Sequence, residues 1–266
     1  MTEQPHPPGI DTTVPHSARV WNYLLGGEDH FPVDRAAGDK VCEVFPGMIG
    51  ITRHSRAFTG RVVTYLAREA GIRQFLDIGS GLPTADNTHE IAQRAAPACR
   101  IVYADNDPLV LAHAGALLTS APEGATHYAH ADVRDPDRVL AAAAGTLDLT
   151  RPVGLMLMGV LGLVGAYDEA RAVVVRLLEA LPSGSYLALN DGSTVDPAYL
   201  EAIARFNSGS GAAPYTPRTP GEIAGFFAGL ELLEPGVVSC PSWRPVAPPT
   251  GAPPLVAVHG GLARKP

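Results

Sequence analysis

The 266-residue chain has little cysteine: Cys42, Cys99 and Cys240 lie far apart, and no CxxC spacing occurs. Neither a zinc site nor a disulfide framework is indicated, and no metal is expected. Long apolar runs are also missing. The longest, Val153 to Ala166, is broken by four glycines and falls short of the roughly 20 helical residues that span a bilayer. The first residues, MTEQPHPPGIDTTVPHS, carry no basic segment followed by an apolar one, so no secretory signal is expected and the cytoplasm is the expected location. Excess positive charge is absent too. Twenty basic against 27 acidic residues give a net charge of −7, which argues against a broad nucleic-acid or membrane surface.

What is present is enough for one large core: 46% hydrophobic residues, 18% charged residues and a mean hydropathy of +0.08. Single cores stop growing at about 250–300 residues, so the length suits one large domain or a domain with an extension. The 28 glycines and 25 prolines are spread without a period, which signals many turns rather than a low-complexity polymer.

Residues 1–15, rich in proline, read as a disordered tail. Residues 16–70 read as helical. Ser17 is placed to cap a helix carrying Val20, Tyr23, Leu24 and Leu25 that stops at Gly26-Gly27, and Asp34–Val44 and Thr52–Ala70 follow. From residue 71 to 266 the period changes. Ile72–Ile78, Arg100–Asp105, Thr126–Asp132, Val153–Met158 and Ser185–Asn190 read as strands, separated by helices that include Thr84–Ala95 and Pro108–Thr119. That alternation predicts parallel βαβ units. Helices Pro197–Phe206 and Gly221–Gly229 and two closing strands, Leu230–Val238 and Leu255–His259, complete the expectation. It is an α/β, doubly wound and mostly parallel seven-stranded sheet preceded by an N-terminal helical block.

Ligands of such sheets bind beyond the carboxyl ends of the strands. After strand one comes Asp77-Ile-Gly79-Ser80-Gly81, where glycine lets the backbone approach a ligand. The third glycine of a dinucleotide fingerprint is replaced by Thr84, which weakens a pyrophosphate reading. Asp77 suits organising the loop or meeting an ammonium group through water. After strand two, Asp105-Asn106 offers an acid to ribose hydroxyls. After strand three, Asp132-Val133 offers a hydrogen bond and an apolar face to adenine. Met158, ending strand four, is placed beside them. An adenosine pocket whose remaining substituent is not a phosphate fits S-adenosylmethionine.

The strings Ser17–Phe31 with Asp34-Arg35, Phe75–His89, Val102–Pro108 and Ser242–Pro245 resemble an actinobacterial S-adenosyl methyltransferase family within the class I S-adenosylmethionine-dependent methyltransferases. The resemblance runs almost end to end and implies a Rossmann-like domain under an N-terminal helical cap, a lid over the cofactor. On this reading Gly26-Gly27 hinge a lid that brings Tyr23, His30 or Phe31 over the cofactor. Arg53, preferred to Arg56, binds its carboxylate. The chain departs from the family at Leu161-Gly162-Leu163, where members commonly read Leu-His-Phe, and at Asn190–Ser193, where a histidine-containing segment is usual. The expected reaction is direct methyl displacement onto a small-molecule acceptor, with Asp191 or His30 as candidate catalytic bases. A silent S-adenosylmethionine- or S-adenosylhomocysteine-binding protein and, on the GxG turn alone, an NAD-dependent oxidoreductase are the alternatives. His89 reads as a supporting group at a helix start, and Trp21 and Trp243 as packing anchors.

Overall fold

The computed structural model describes residues 10–84, 86–110, 112, 120–246 and 254–266. Most of the tail, and most of the helix expected over Pro108–Thr119, lie outside these residues. The chain opens with α1 (Ser17–Leu24), α2 (Pro32–Val44) and α3 (Met48–Arg68), then alternates: β1 (Gln74–Ile78), α4 (Thr88–Ala95), β2 (Arg100–Asp105), β3 (Ala125–His130), α5 (Pro136–Ala143), β4 (Gly154–Met158), α6 (Tyr167–Glu179) and β5 (Tyr186–Gly192). It closes with α7 (Pro197–Gly209), α8 (Pro220–Gly225), β6 (Glu231–Leu232), β7 (Val238–Ser239) and β8 (Val258–Arg264). The sheet order is β3-β2-β1-β4-β5-β8-β6, with β7 also paired to β8. Strands β1 to β5 run parallel, and β8 is antiparallel to β5.

Strand residues alternate between two cores, as the pleat requires. Phe75, Ile101, Met156 and Ala188 pack with α1–α4 and α7 on one face. Leu76, Val102, Leu155 and Leu187 pack with α5, α6 and α8 on the other. Helix α3 is therefore a full layer of the sandwich: Phe58, Val62 and Leu66 are completely buried against the sheet. Trp243 anchors this side, edge-on to Phe58 at 5.4 Å, while Arg61 donates to the Trp243 carbonyl at 2.8 Å.

Four local expectations change. His16, not Ser17, caps α1; its Nδ1 accepts the Ala18 N–H at 3.3 Å. Helix α4 starts at Thr88 rather than Thr84, because Asn87 and Glu90 form a reciprocal capping box that fixes the start. The closing strand runs over Val258–Arg264, not Leu255–His259. Gly260 sits where a Cβ would lie only 2.7 Å from Asn190 Cβ, so glycine here permits close packing. The region 230–238 contributes two short pairings instead of one strand, since a turn closed by Gly236 N–H to the Leu233 carbonyl separates them. Among the described residues the sheet has eight strands in consequence.

Candidate functional site

A cavity of about 230 Å³ opens at the carboxyl ends of β1–β5, beneath α1–α3 and α7. Gly79 and Gly81, both in left-handed conformations (φ +71° and +65°), carry the chain out of β1 along its wall. A Cβ at Gly79 would come within 2.6 Å of Val160 Cβ. Gly79→Ala therefore adds left-handed strain of about 1–2 kcal/mol before any clash is counted. Thermal denaturation should show Tm lower by about 2–8 °C; an unchanged Tm would mean that the turn relaxes freely.

Two buried acids face the cavity from adjacent strands. Asp77 accepts the Thr88 hydroxyl at 2.6 Å, and burial pushes its carboxyl up to about 6. Asp105 accepts the Gly81 N–H and the Asp107 N–H, each at 2.9 Å. Burial raises its carboxyl above the ordinary range, with those backbone bonds opposing the shift. It is thus Asp105 that holds the glycine turn, while Asp77 is tied to α4. Each Asp105 oxygen keeps a lone pair, so the carboxylate can still receive two ribose hydroxyls.

Of the residues expected to bind cofactor, Asp77, Gly79, Ser80, Gly81, Asp105, Asn106, Val133 and Met158 line this one cavity. Asp132 does not. Its oxygens are occupied by Arg134 Nε and Nη2 at 2.8 and 2.6 Å and Asn106 Nδ2 at 2.9 Å, and the Arg134 hydrogen bonds hold its carboxyl well below the usual range. It braces Asn106 and Arg134, which line the wall in its place.

Arg53 is exposed on the far side of α3. At 3.6 residues per turn it stands about 200° round from Ile51, whereas Arg56, nearer the buried stripe of Ile51, Ser55 and Phe58, does line the cavity. Tyr23 hydrogen-bonds Asp39 and packs edge-on against His30 at 5.1 Å; neither ring lines the cavity. The Gly26–Asp29 loop turns them away, held by Asn22 Oδ1, which accepts the Asp29 N–H at 3.1 Å. Trp21, read as a packing anchor, lines the cavity instead.

Asp191 is turned away by strand parity. Asn190 shares the cavity face of β5 with Ala188, so Asp191 shares the opposite face with Leu189. It is fully buried, ion-paired to Arg218 at 3.3 Å and hydrogen-bonded by the Tyr215 hydroxyl. Burial outweighs both partners and lifts its carboxyl to about 6.

Several lining residues escaped the sequence. His16 sits 3.2 Å from Asp107, and the buried Arg19 bonds both Asp107, at 3.2 Å, and the Asp11 carbonyl, fastening α1 to the end of β2. Ser55 donates to Asn190 Oδ1 at 3.2 Å. Tyr215 rises from the 210–219 loop to pack on Gly162, where any Cβ would overlap its ring. The departure at Gly162 and the tyrosine are thus two halves of one packing arrangement. His89, at the start of α4, is buried and paired with the Tyr103 hydroxyl at 2.9 Å, a supporting position behind β2.

No three His, Cys, Asp or Glu residues gather as a metal site among the described residues, and no helix among them is long and apolar enough to cross a membrane. The chemistry of the wall suits S-adenosylmethionine: buried acids for hydroxyls and a cationic group, a glycine turn and an apolar shelf. Fold and site define a Rossmann-like S-adenosylmethionine-dependent methyltransferase. The chain belongs to the S-adenosyl methyltransferase family, whose sequence model matches residues 3–266. It is similar to a DUF574 family protein from Streptomyces avermitilis, at 45% identity and TM-score 0.91, covering 96% of this chain and 99% of that one. It is also similar to a proposed methyltransferase from Thermobifida fusca, at 42% identity and TM-score 0.89, covering 97% and 98%. Among curated proteins no sequence matches it.

Proposed function

We propose that the chain methylates a small-molecule acceptor held between the ends of β4 and β5 and the helices of residues 16–70, which act as a cap on the sheet domain of residues 71–266. Asp105 receives the ribose hydroxyls, Asn106, Val133 and Arg134 frame the adenine, and Gly79–Gly81 pass beneath the amino-acid tail. Asp77 meets the ammonium end and Arg56 the carboxylate. When bound, S-adenosylmethionine supplies a methyl group on a sulfonium, a strong electrophile. The residues around it have then to align the acceptor and exclude water. The observation that carries this reading is the pair of buried acids, Asp77 and Asp105, flanking one glycine turn over one cavity.

Calorimetry with S-adenosylmethionine and NAD side by side tests it; binding of NAD without the sulfonium would defeat the proposal. The pH dependence is a sharper test. A cationic ligand favours the charged form of Asp77, whose carboxyl sits at about 6 in the free protein. Below that pH the group must lose a proton for the ligand to bind, so affinity rises with pH and levels off above 6. Binding should be about tenfold weaker at pH 5 than at pH 7. Asp77→Asn should flatten the profile, and an equally steep profile in that variant would remove Asp77 from the contact.

A further inference from the structure

Charge divides the cavity into two halves. Among the described residues, the ionisable Asp, Arg and His side chains that line it are His16, Arg56, Asp77, Asp105 and Arg134, and all of them sit with the ends of β1–β3. The other half, under the cap and beyond β4 and β5, is walled by Trp21, Met48, Ile51, Ile203, Phe206 and Tyr215. Of its neutral polar groups, Ser55 donates to Asn190 and Thr59 donates to the Ser55 carbonyl at 3.1 Å, while the Tyr199 hydroxyl lies against Gly192 beside Tyr215. A carboxylate or ammonium ion entering here would lose its water without meeting an opposite charge.

Tyr215 is the hydroxyl of this half whose orientation is fixed. The ring is seated over Gly162 and Gly192; a Cβ on Gly192 would approach it to 3.0 Å. Asn207 clamps the Tyr215 backbone from both sides, at 2.9 and 2.8 Å. Asp191, paired with Arg218, can only accept, so the Tyr215 hydroxyl spends its proton there. The Gly192 N–H donates to the same oxygen at 2.8 Å. Any further partner of this hydroxyl has therefore to be a donor.

We propose that the acceptor is a neutral, largely apolar hydroxyarene whose hydroxyl donates to Tyr215 and, as its oxygen takes the methyl group, gives up its proton to Tyr215 while the Tyr215 proton passes to the Asp191 carboxylate. This rests on the methyltransferase reading above. The test is calorimetry at pH 7.5 on protein saturated with S-adenosylhomocysteine, using three probes of one shape: 2-naphthol, 2-methoxynaphthalene and 2-naphthoate. 2-Naphthol should bind at least about tenfold more tightly than either of the others, the worth of one hydrogen bond in the first comparison. Tyr215→Phe should keep its affinity for S-adenosylhomocysteine and lose the preference for naphthol over the methoxy compound. Naphthoate binding as tightly as naphthol, no probe binding the loaded protein, or a preference that survives in Tyr215→Phe would each overturn the assignment. Failure of S-adenosylhomocysteine itself to bind would overturn the methyltransferase reading first, and this assignment with it.

Discussion

Arg218→Met is expected to destabilise the folded protein by about 3–5 kcal/mol at pH 7.5, because it leaves a buried carboxylate without its counter-ion. Arg218 is 2% exposed and Asp191 not at all. The guanidinium also donates to the Val164 carbonyl at 2.6 Å and lies 5.5 Å from the centre of the Phe226 ring, so methionine replaces packing but not charge. In Tm the loss corresponds to about 6–20 °C. Its pH dependence separates charge from packing. Even with Arg218 present, burial holds the Asp191 carboxyl at about 6 against an ordinary 3.8. The folded state therefore binds more protons than the unfolded one between these values, and this group's contribution to stability falls as pH rises through them. Without Arg218 the carboxyl moves higher still, so the variant neutralises it more completely at pH 5 than at pH 7.5. Thermal melts should show the gap from wild type shrinking at the lower pH, and Arg218→Met with Asp191→Asn recovering part of the loss. An equal gap at both pH values would mean that the ion pair is not what the substitution removed.

That pair also marks where sequence reasoning reaches its limit. The five parallel strands were legible because Phe75-Leu76 or Leu155-Met156 are apolar on both faces, as strands buried under helices must be. The acids that end β1 and β2 were legible because the topology alone puts strand ends around a ligand. Which way a given side chain points was harder. Asp191 and Asn190 are one residue apart, and only the register of β5 shows that the amide, not the acid, faces the cavity. Arg53 and Arg56 lie three residues apart on one helix, and the buried stripe of α3 had to be counted from Ile51 to choose between them. Strand β8 hid behind Gly260-Gly261, a pair that reads as a turn yet serves close packing against Asn190. Tyr215 gave no local signal at all. Its partners, Gly162, Asp191 and Gly192, come from other segments, and a contact of that kind exists only once the chain has folded.

Asp105→Ala is expected to weaken binding of S-adenosylhomocysteine by about 1–3 kcal/mol, or roughly 5- to 150-fold, through lost hydrogen bonds to the ribose. The substitution also strands the N–H groups of Gly81 and Asp107, both of which Asp105 now satisfies. A weaker ligand could therefore reflect a loosened glycine turn rather than a missing ribose contact. Asparagine does not resolve this, since its amide would turn a donor toward one of those two N–H groups. Changing the ligand does. Adenosine and 3′-deoxyadenosine differ by one ribose hydroxyl, and wild-type protein should prefer adenosine. If Asp105 receives that hydroxyl, the preference collapses in Asp105→Ala, because the variant has nothing left to reward it. If the acid serves only to hold the turn, both ligands weaken together and their ratio is unchanged. This coupling energy isolates the contact as neither single measurement can. A ratio that survives in the variant would confine Asp105 to supporting the turn and move ribose recognition to another group on the same wall.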